Sequence, residues 1–248
     1  MITIQWYPVF LKEMLHFRRK LLKMGYLFSA MVVPVVYLIA FGFGLGGRVR
    51  MGDTDYLTFL LPGLVAMSSM NNAYAWVAST LNLSRLYFKT FQIFVQAPIN
   101  PSAIMMGEVL AGMVKGLFAS LLIVIVGFIA SPGFVVTWPF MTALVLNCFL
   151  FSNLGVIIDM KSKSHEETST YSNFLIMPMA FFCGTFFPID RVPAAIKGIM
   201  YILPLTHTNI LIRKEAMTGD AWISLAVMTV YSVAFFVYGS RLIREYSE

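Results

Sequence analysis

The sequence has little charge and little sulfur, and it lacks the short motifs that hold a nucleotide or a metal. Only 12% of its 248 residues are charged, against about 25% in a soluble domain. Its two cysteines, Cys148 and Cys183, both fall inside apolar runs. They read as small core residues and exclude a disulfide framework. There is no G-x-x-x-x-G-K-[ST] phosphate loop, no H-E-x-x-H and no C-x-x-C, so ATP binding of the phosphate-loop kind and the common zinc and thiol chemistries are excluded. The three histidines, His16, His165 and His207, are scattered along the chain and do not converge on one metal. No short h-region with a small-residue cleavage site opens the sequence, so no cleavable signal is expected.

What is present is apolar length. Hydrophobic residues make up 58% of the chain and mean hydropathy is +0.77. A membrane span needs roughly 20 apolar residues, and its backbone groups must bond within the segment. The runs are too continuous for barrel strands. The expected fold is all-α and integral to the membrane, one domain over 1–248. Six spans are expected at about 25–46, 56–83, 102–130, 134–158, 169–187 and 221–242. Pro62-Gly63 and Pro178 lie where they kink or break a span. Gly42 to Gly47 matches G-x-G-x-x-G. With no preceding strand it is a glycine-rich membrane exit and not a dinucleotide site.

Three further segments are amphipathic. In 2–24, Lys12, His16, Arg19, Lys20 and Lys23 share one helical face, and Ile4, Tyr7, Leu11, Met14 and Leu15 another. This suits a helix lying in the headgroups of an anionic leaflet, or a solvated charge run that only fixes orientation. In 84–101, Arg85, Lys89, Gln92 and Gln96 fall at helical spacing beside Phe91 and Phe94, and Pro98 and Pro101 stop the helix. Such a helix lies flat in headgroups or presents a docking surface to a soluble partner, with Phe91 and Phe94 as anchors and Arg85 and Lys89 on the rim. In 188–220, Pro188, Pro193 and Pro204 punctuate apolar stretches, which predicts two short helices in a re-entrant or surface-lying hairpin. Six spans put both termini on one side. That side carries eleven Lys and Arg residues against six on the other, so the termini and 84–101 are expected in the cytoplasm.

Ionisable groups inside spans are costly and often functional. Glu108 and Lys115 share a face of the third span, and Asn147 on the fourth lies at similar depth. A structural Lys115–Asn147 contact and a substrate-facing Lys115 are the alternatives. Asp159, His165, Glu166 and Glu167 form the densest ionisable group, read as a solvated loop over 159–168. No acid–base or nucleophile cluster supports an enzyme. A self-sufficient channel or ion-coupled carrier is an alternative to a partnered permease, though Glu108 alone supplies few intramembrane carboxylates.

The order of features resembles the ABC-2 type transporter permeases, nearest to the nodulation-factor-export and YadH-like ones. The residues carrying the resemblance are Phe59-Leu60-Leu61-Pro62-Gly63-Leu64, Lys89-Thr90-Phe91, Ala97-Pro98-Ile99 with Gly107, then Gly184, Phe187-Pro188, Pro193, Pro204-Leu205-Thr206, Arg213 and Gly219. Departures are Lys89-Thr90 for the usual Gly-Thr, Gln92 for an acidic residue, and Gly107-Glu108 for Gly-Lys. The resemblance implies a homodimer in a bacterial cytoplasmic membrane, served by two copies of a separate ATP-binding subunit that carries ATP and Mg. It implies export of an amphipathic substrate: a lipid-linked saccharide, a glycolipid or a hydrophobic drug. It makes Arg85, Tyr87, Phe88, Lys89, Thr90, Phe91, Gln92 and Phe94 ATPase-coupling residues. Tyr37, Phe41, Asn72, Tyr74, Lys115, Tyr171, Phe174, Phe181 and Phe182 become candidates for the path, and Pro188, Pro193, Pro204 and Arg213 mark the outer hairpin.

Overall fold

The computed structural model describes residues 5–21, 24–44, 50–51 and 54–247. It is helical throughout, apart from a two-residue antiparallel ladder between Arg50–Met51 and Thr54–Asp55. The helices are α1 (Tyr7–Leu21), α2 (Met24–Tyr37), α3 (Tyr56–Asn82), α4 (Phe91–Gln96), α5 (Pro101–Ala130), α6 (Trp138–Lys161), α7 (His165–Phe182), α8 (Ala194–Ile202), α9 (Pro204–Leu211) and α10 (Gly219–Ser247). Wide π-turns continue α2 over Leu38–Phe43 and α3 over Leu83–Tyr87. Gly42 and Gly44 belong to the end of the first of these, while Gly46 and Gly47 lie outside the described residues.

Among the described residues, Pro101–Ala130, Trp138–Lys161 and Gly219–Tyr246 are long and apolar enough to cross a membrane. The second expected span, α3, is more polar, with Ser68, Ser69, Asn71, Asn72, Ser79 and Thr80 along it. Its position accounts for this. It is the axis of the fold, enclosed by α5 and α6 and buried without a break from Leu60 to Met70. A helix walled by protein can carry hydroxyls and amides, provided neighbours satisfy them. Asn147 on α6 does so, donating to Ala66 O (3.1 Å) and Ser69 Oγ (2.7 Å) and accepting from Thr208 Oγ1 of α9 (2.8 Å). Asn147 therefore ties α6, α3 and α9 together, and the expected Lys115–Asn147 contact is not formed.

Local chemistry moved several helix ends from their expected positions. Thr137 caps α6 by accepting from Phe140 N (3.3 Å), with Pro139 in the first turn, so the helix starts after residue 134. Ser164 caps the helix, its Oγ accepting from Glu167 N (3.2 Å), while Glu167 Oε2 reaches back to accept from Lys163 N (2.7 Å), one residue before the cap. This starts α7 at His165, ahead of the expected 169. The predicted solvated loop over 159–168 shrinks accordingly. Asp159 and Lys161 are the last turn of α6, and Asp159 is fully buried. The two short helices expected between Pro193 and residue 217 are present as α8 and α9, with Pro193 and Pro204 at their starts.

Candidate functional site

The segment between α3 and α5 is not one amphipathic helix. The π-turn closes through Phe88 N to Leu83 O (2.9 Å), Lys89 adopts a left-handed φ of 53°, and a six-residue α4 follows. The break at Lys89 rotates the two halves apart, so Arg85, Lys89, Gln92 and Gln96 do not form one stripe.

Arg85 was expected at an interface rim; it is buried. Its Nε donates to Asp159 Oδ2 (3.0 Å), and Nη2 donates to the carbonyls of Asp159 and Ser162. The guanidinium fork thus caps the C-terminus of α6, where carbonyls lack helical partners and a cation is favoured. Phe91, expected to protrude, is fully buried on the Tyr246 ring of α10 (5.7 Å between centroids). Phe94 is half-buried beneath Lys12 Nζ of α1 (5.4 Å). An apolar residue next to an abrupt backbone break goes where the break points it, and single-helix geometry could not show this. The side chains left outside are Tyr87, Phe88 and Ile93, which are 65%, 71% and 66% exposed, with Lys89 and Gln92 exposed beside them and Thr90 half-buried at the start of α4. The outcome is an aromatic and aliphatic patch on a base anchored by Arg85 and Phe91.

Beside this segment α1 is fastened to the core. Gly107 permits a close approach: a Cβ there would stand 2.6 Å from Val9 Cβ and 2.8 Å from Trp6 O. Glu13, the lone acidic residue of α1, points inward. Its Oε2 accepts from Trp76 Nε1 of α3 (3.0 Å) and lies 3.7 Å from Lys115 Nζ of α5, while Lys12 Nζ is 3.3 Å from Oε1. Lys115 also lies over the Trp76 ring and 5.2 Å from the Phe17 ring. Burial pushes the Glu13 carboxyl up, but Lys115, Lys12 and the Trp76 N–H outweigh it and hold the group below its ordinary 4.5. Lys115 is wholly enclosed by these groups, so it faces α1 and not a path. Sequence reasoning missed Glu13 and Trp76. The signal was one carboxylate on an otherwise basic helix.

The remaining path candidates do not form one lining. Tyr37, Phe41 and Phe181 gather around Phe186 at centroid distances of 5.3, 4.8 and 5.4 Å. Tyr74 is buried with its hydroxyl 2.8 Å from Ser172 Oγ, and Asn72 donates back to Ser68 O of its own helix (3.0 Å). Tyr171, Phe174 and Phe182 are exposed on α7.

At the other end of α3, Arg213 binds three separate stretches. Nε donates to Phe59 O (3.3 Å), Nη1 to Asn209 O (2.9 Å) and Nη2 to Thr185 O (3.3 Å), and the guanidinium lies 4.3 Å from the Phe59 ring. Burial pushes it down to about 10, still cationic at neutral pH. This knot depends on Gly63, where a Cβ would stand 2.6 Å from Arg213 Nη2 and 2.7 Å from Thr185 O. Gly63→Ala is expected to cost about 1–3 kcal/mol through overpacking, read as a lower thermal midpoint of the solubilised protein. An unchanged midpoint would show that Arg213 is not pinned there. Pro188 precedes the 3₁₀ turn Ile189–Arg191 that leads from this knot toward α8. Among the described residues no group of three or more His, Cys, Asp or Glu is placed to hold a metal.

A buried helical axis and, among the described residues, three helices long and apolar enough to cross a membrane, with an anchored apolar patch between α3 and α5, are the frame of a helical membrane protein. The ABC-2 type transporter family model matches residues 9–217, and the chain belongs to that family. It is 28% identical over 226 residues to the inner membrane transport permease YadH of Escherichia coli strain K12, covering 88% of each chain. It is also 28% identical over 225 residues to nodulation protein J of Rhizobium leguminosarum bv. viciae, covering 86% of this chain and 84% of that one. Against nodulation protein J of Bradyrhizobium diazoefficiens, identity is 26% over 249 residues, covering 97% and 93%. This is a membrane protein with a transport role, consistent with a permease and not an enzyme, and its family implies an ABC ATP-binding partner in general.

Proposed function

We propose that the chain is the permease subunit of an ATP-driven exporter in a bacterial inner membrane. It would work as a homodimer with six spans per copy and both termini cytoplasmic. Two copies of an ATP-binding subunit would supply ATP and Mg chemistry, and the cargo would be an amphipathic molecule such as a lipid-linked saccharide, glycolipid or hydrophobic drug. The observation that carries this reading is the patch of Tyr87, Phe88 and Ile93 standing on the buried Arg85–Asp159 pair. An exposed aromatic group on a fixed base is suited to entering a pocket on a soluble partner and passing its motion to α3 and α6.

The test is co-purification with the ATP-binding subunit and stimulation of its hydrolysis. Phe88→Asp and Ile93→Asp are expected to weaken association by about 2 kcal/mol each, about 30-fold, with the permease fold intact. Gln92→Ala is expected to change little. If both aspartate variants bind and stimulate like the parent, the segment lies in the headgroups and the docking reading fails. Transport by the chain alone in liposomes would favour a self-sufficient carrier.

A further inference from the structure

A groove that adjoins the docking patch through Phe88 opens between α1 and the turn that leaves α3. Its volume is about 390 Å³. Lys12, His16 and Arg19 of α1 form one wall, while Leu83, Ser84, Phe88 and Thr90 form the other. The basic positions recur at i, i+4 and i+7, one residue round the helix from an exposed apolar stripe of Tyr7, Leu11 and Leu15. Leu15 belongs to both features and lines the groove. The groove therefore has a polar wall, with Arg19 as its cation and the His16 imidazole as a hydrogen-bonding group, beside an apolar lip made by Leu15, Leu83 and Phe88, all exposed.

Glu13 also lines the groove, but its charge is met by Lys115 at 3.7 Å, Lys12 at 3.3 Å and the Trp76 N–H. Lys12 is thereby spoken for, and among the described residues lining the groove Arg19 is left as the uncommitted cation, with His16 one turn before it. The hydroxyls of Thr80 and Ser84 are turned back onto Trp76 O and Leu81 O, so the recognition falls to α1. A small anion needs Arg19 and His16 but has no use for the apolar lip. An acidic peptide would use the charges and leave the aliphatic stripe uncovered. A lipid with an anionic headgroup uses both surfaces, and the offset between the two stripes matches the step from acyl chain to phosphate.

We infer that this groove is a binding site for the phosphate headgroup of an anionic membrane phospholipid, held by His16 and Arg19 with its chains along Leu15 and Leu83. Because Phe88 and Thr90 form the facing wall, the bound headgroup bridges α1 and the segment that carries the docking patch. The inference concerns the chain alone and stands whether or not an ATP-binding subunit docks.

The experiment titrates the purified full chain in neutral detergent with short-chain phosphatidylglycerol, with phosphatidylcholine of the same chains and with inorganic phosphate. Binding is read by native mass spectrometry and by the change in tryptophan fluorescence, to which Trp76 contributes with its ring 5.5 Å from His16, against the same titration of Trp76→Phe. Saturable phosphatidylglycerol binding is expected, about tenfold or more tighter than phosphatidylcholine. The double variant H16Q/R19Q is expected to remove that preference. R18Q, which changes an exposed cation outside the groove, is expected to keep it. Both variants are first matched to the parent in thermal midpoint, since all three side chains are exposed. Equal loss in R18Q and H16Q/R19Q would overturn the site in favour of diffuse attraction. Equal binding of the two lipids would overturn the headgroup selection. Displacement of phosphatidylglycerol by inorganic phosphate at comparable concentration would reassign the groove to a soluble anion.

Discussion

Replacing Glu13 with alanine is expected to be among the most damaging single changes in the chain. It leaves Lys115 enclosed and without its carboxylate, and removing one partner of a buried pair costs about 3–5 kcal/mol. The Trp76 N–H loses its acceptor as well. Two results would separate this account from a general loss of helix packing. First, Lys115→Met added to Glu13→Ala is expected to restore most of the lost stability, because the stranded buried amine goes with it. Second, the parent is expected to lose the same contribution on acidification. A carboxyl held below its ordinary 4.5 stabilises the fold above that value and ceases to as pH falls through its folded value. Thermal midpoints of the parent, Glu13→Ala, Lys115→Met and the double variant, taken at neutral pH and below pH 4, make the measurement. Additive losses in the double variant would refute a coupled pair.

The second large effect is expected from Arg85→Ala. At a rim this residue would contribute about 1 kcal/mol or less. Buried on Asp159 and on two carbonyls at the end of α6, its loss is expected to cost about 3–5 kcal/mol, because Asp159 and the carbonyls are left buried without their cation. Arg85→Lys is expected to recover only part of this, since an ammonium cannot span carboxylate and carbonyls as the planar fork does. Limited proteolysis between residues 84 and 100 supplies the local readout: cleavage there is expected to rise in Arg85→Ala before the rest of the chain unfolds. Protection equal to the parent would mean that Phe91 on Tyr246 holds the segment without help.

These two pairs also show where the sequence stops being readable. Apolar runs mark helices because a spanning backbone has no other way to satisfy its polar groups, and Pro101, Pro139 and Pro204 start helices as their fixed φ dictates. Arg85 and Asp159 are 74 positions apart. Each alone matches a charge at a membrane edge, where solvation is the ordinary outcome, and only the parallel seat of α6 beside α3, which brings their C-terminal ends together, turns them inward. Glu13 and Lys115 are further apart still, and Asn147 at similar depth was an equally good partner by residue count. The patch was half legible. The segment was recognisable by its aromatics and its prolines, but which ring protrudes depends on one left-handed residue, Lys89, and lysine does not advertise that conformation.

The π-turn at the end of α3 has a consequence of its own. Such a turn holds one residue more than an α-helical turn, so Leu83–Tyr87 behaves as an α-helix with a single insertion. Taking that residue out would leave the turn's composition nearly untouched, yet it would swing everything after it by about 100° around the α3 axis and draw it about 1.5 Å closer. The direction in which Tyr87, Phe88 and Ile93 face is therefore encoded by chain length and not by residue identity. Among related permeases, a length difference of one at this point would re-aim the same three side chains toward a different partner surface.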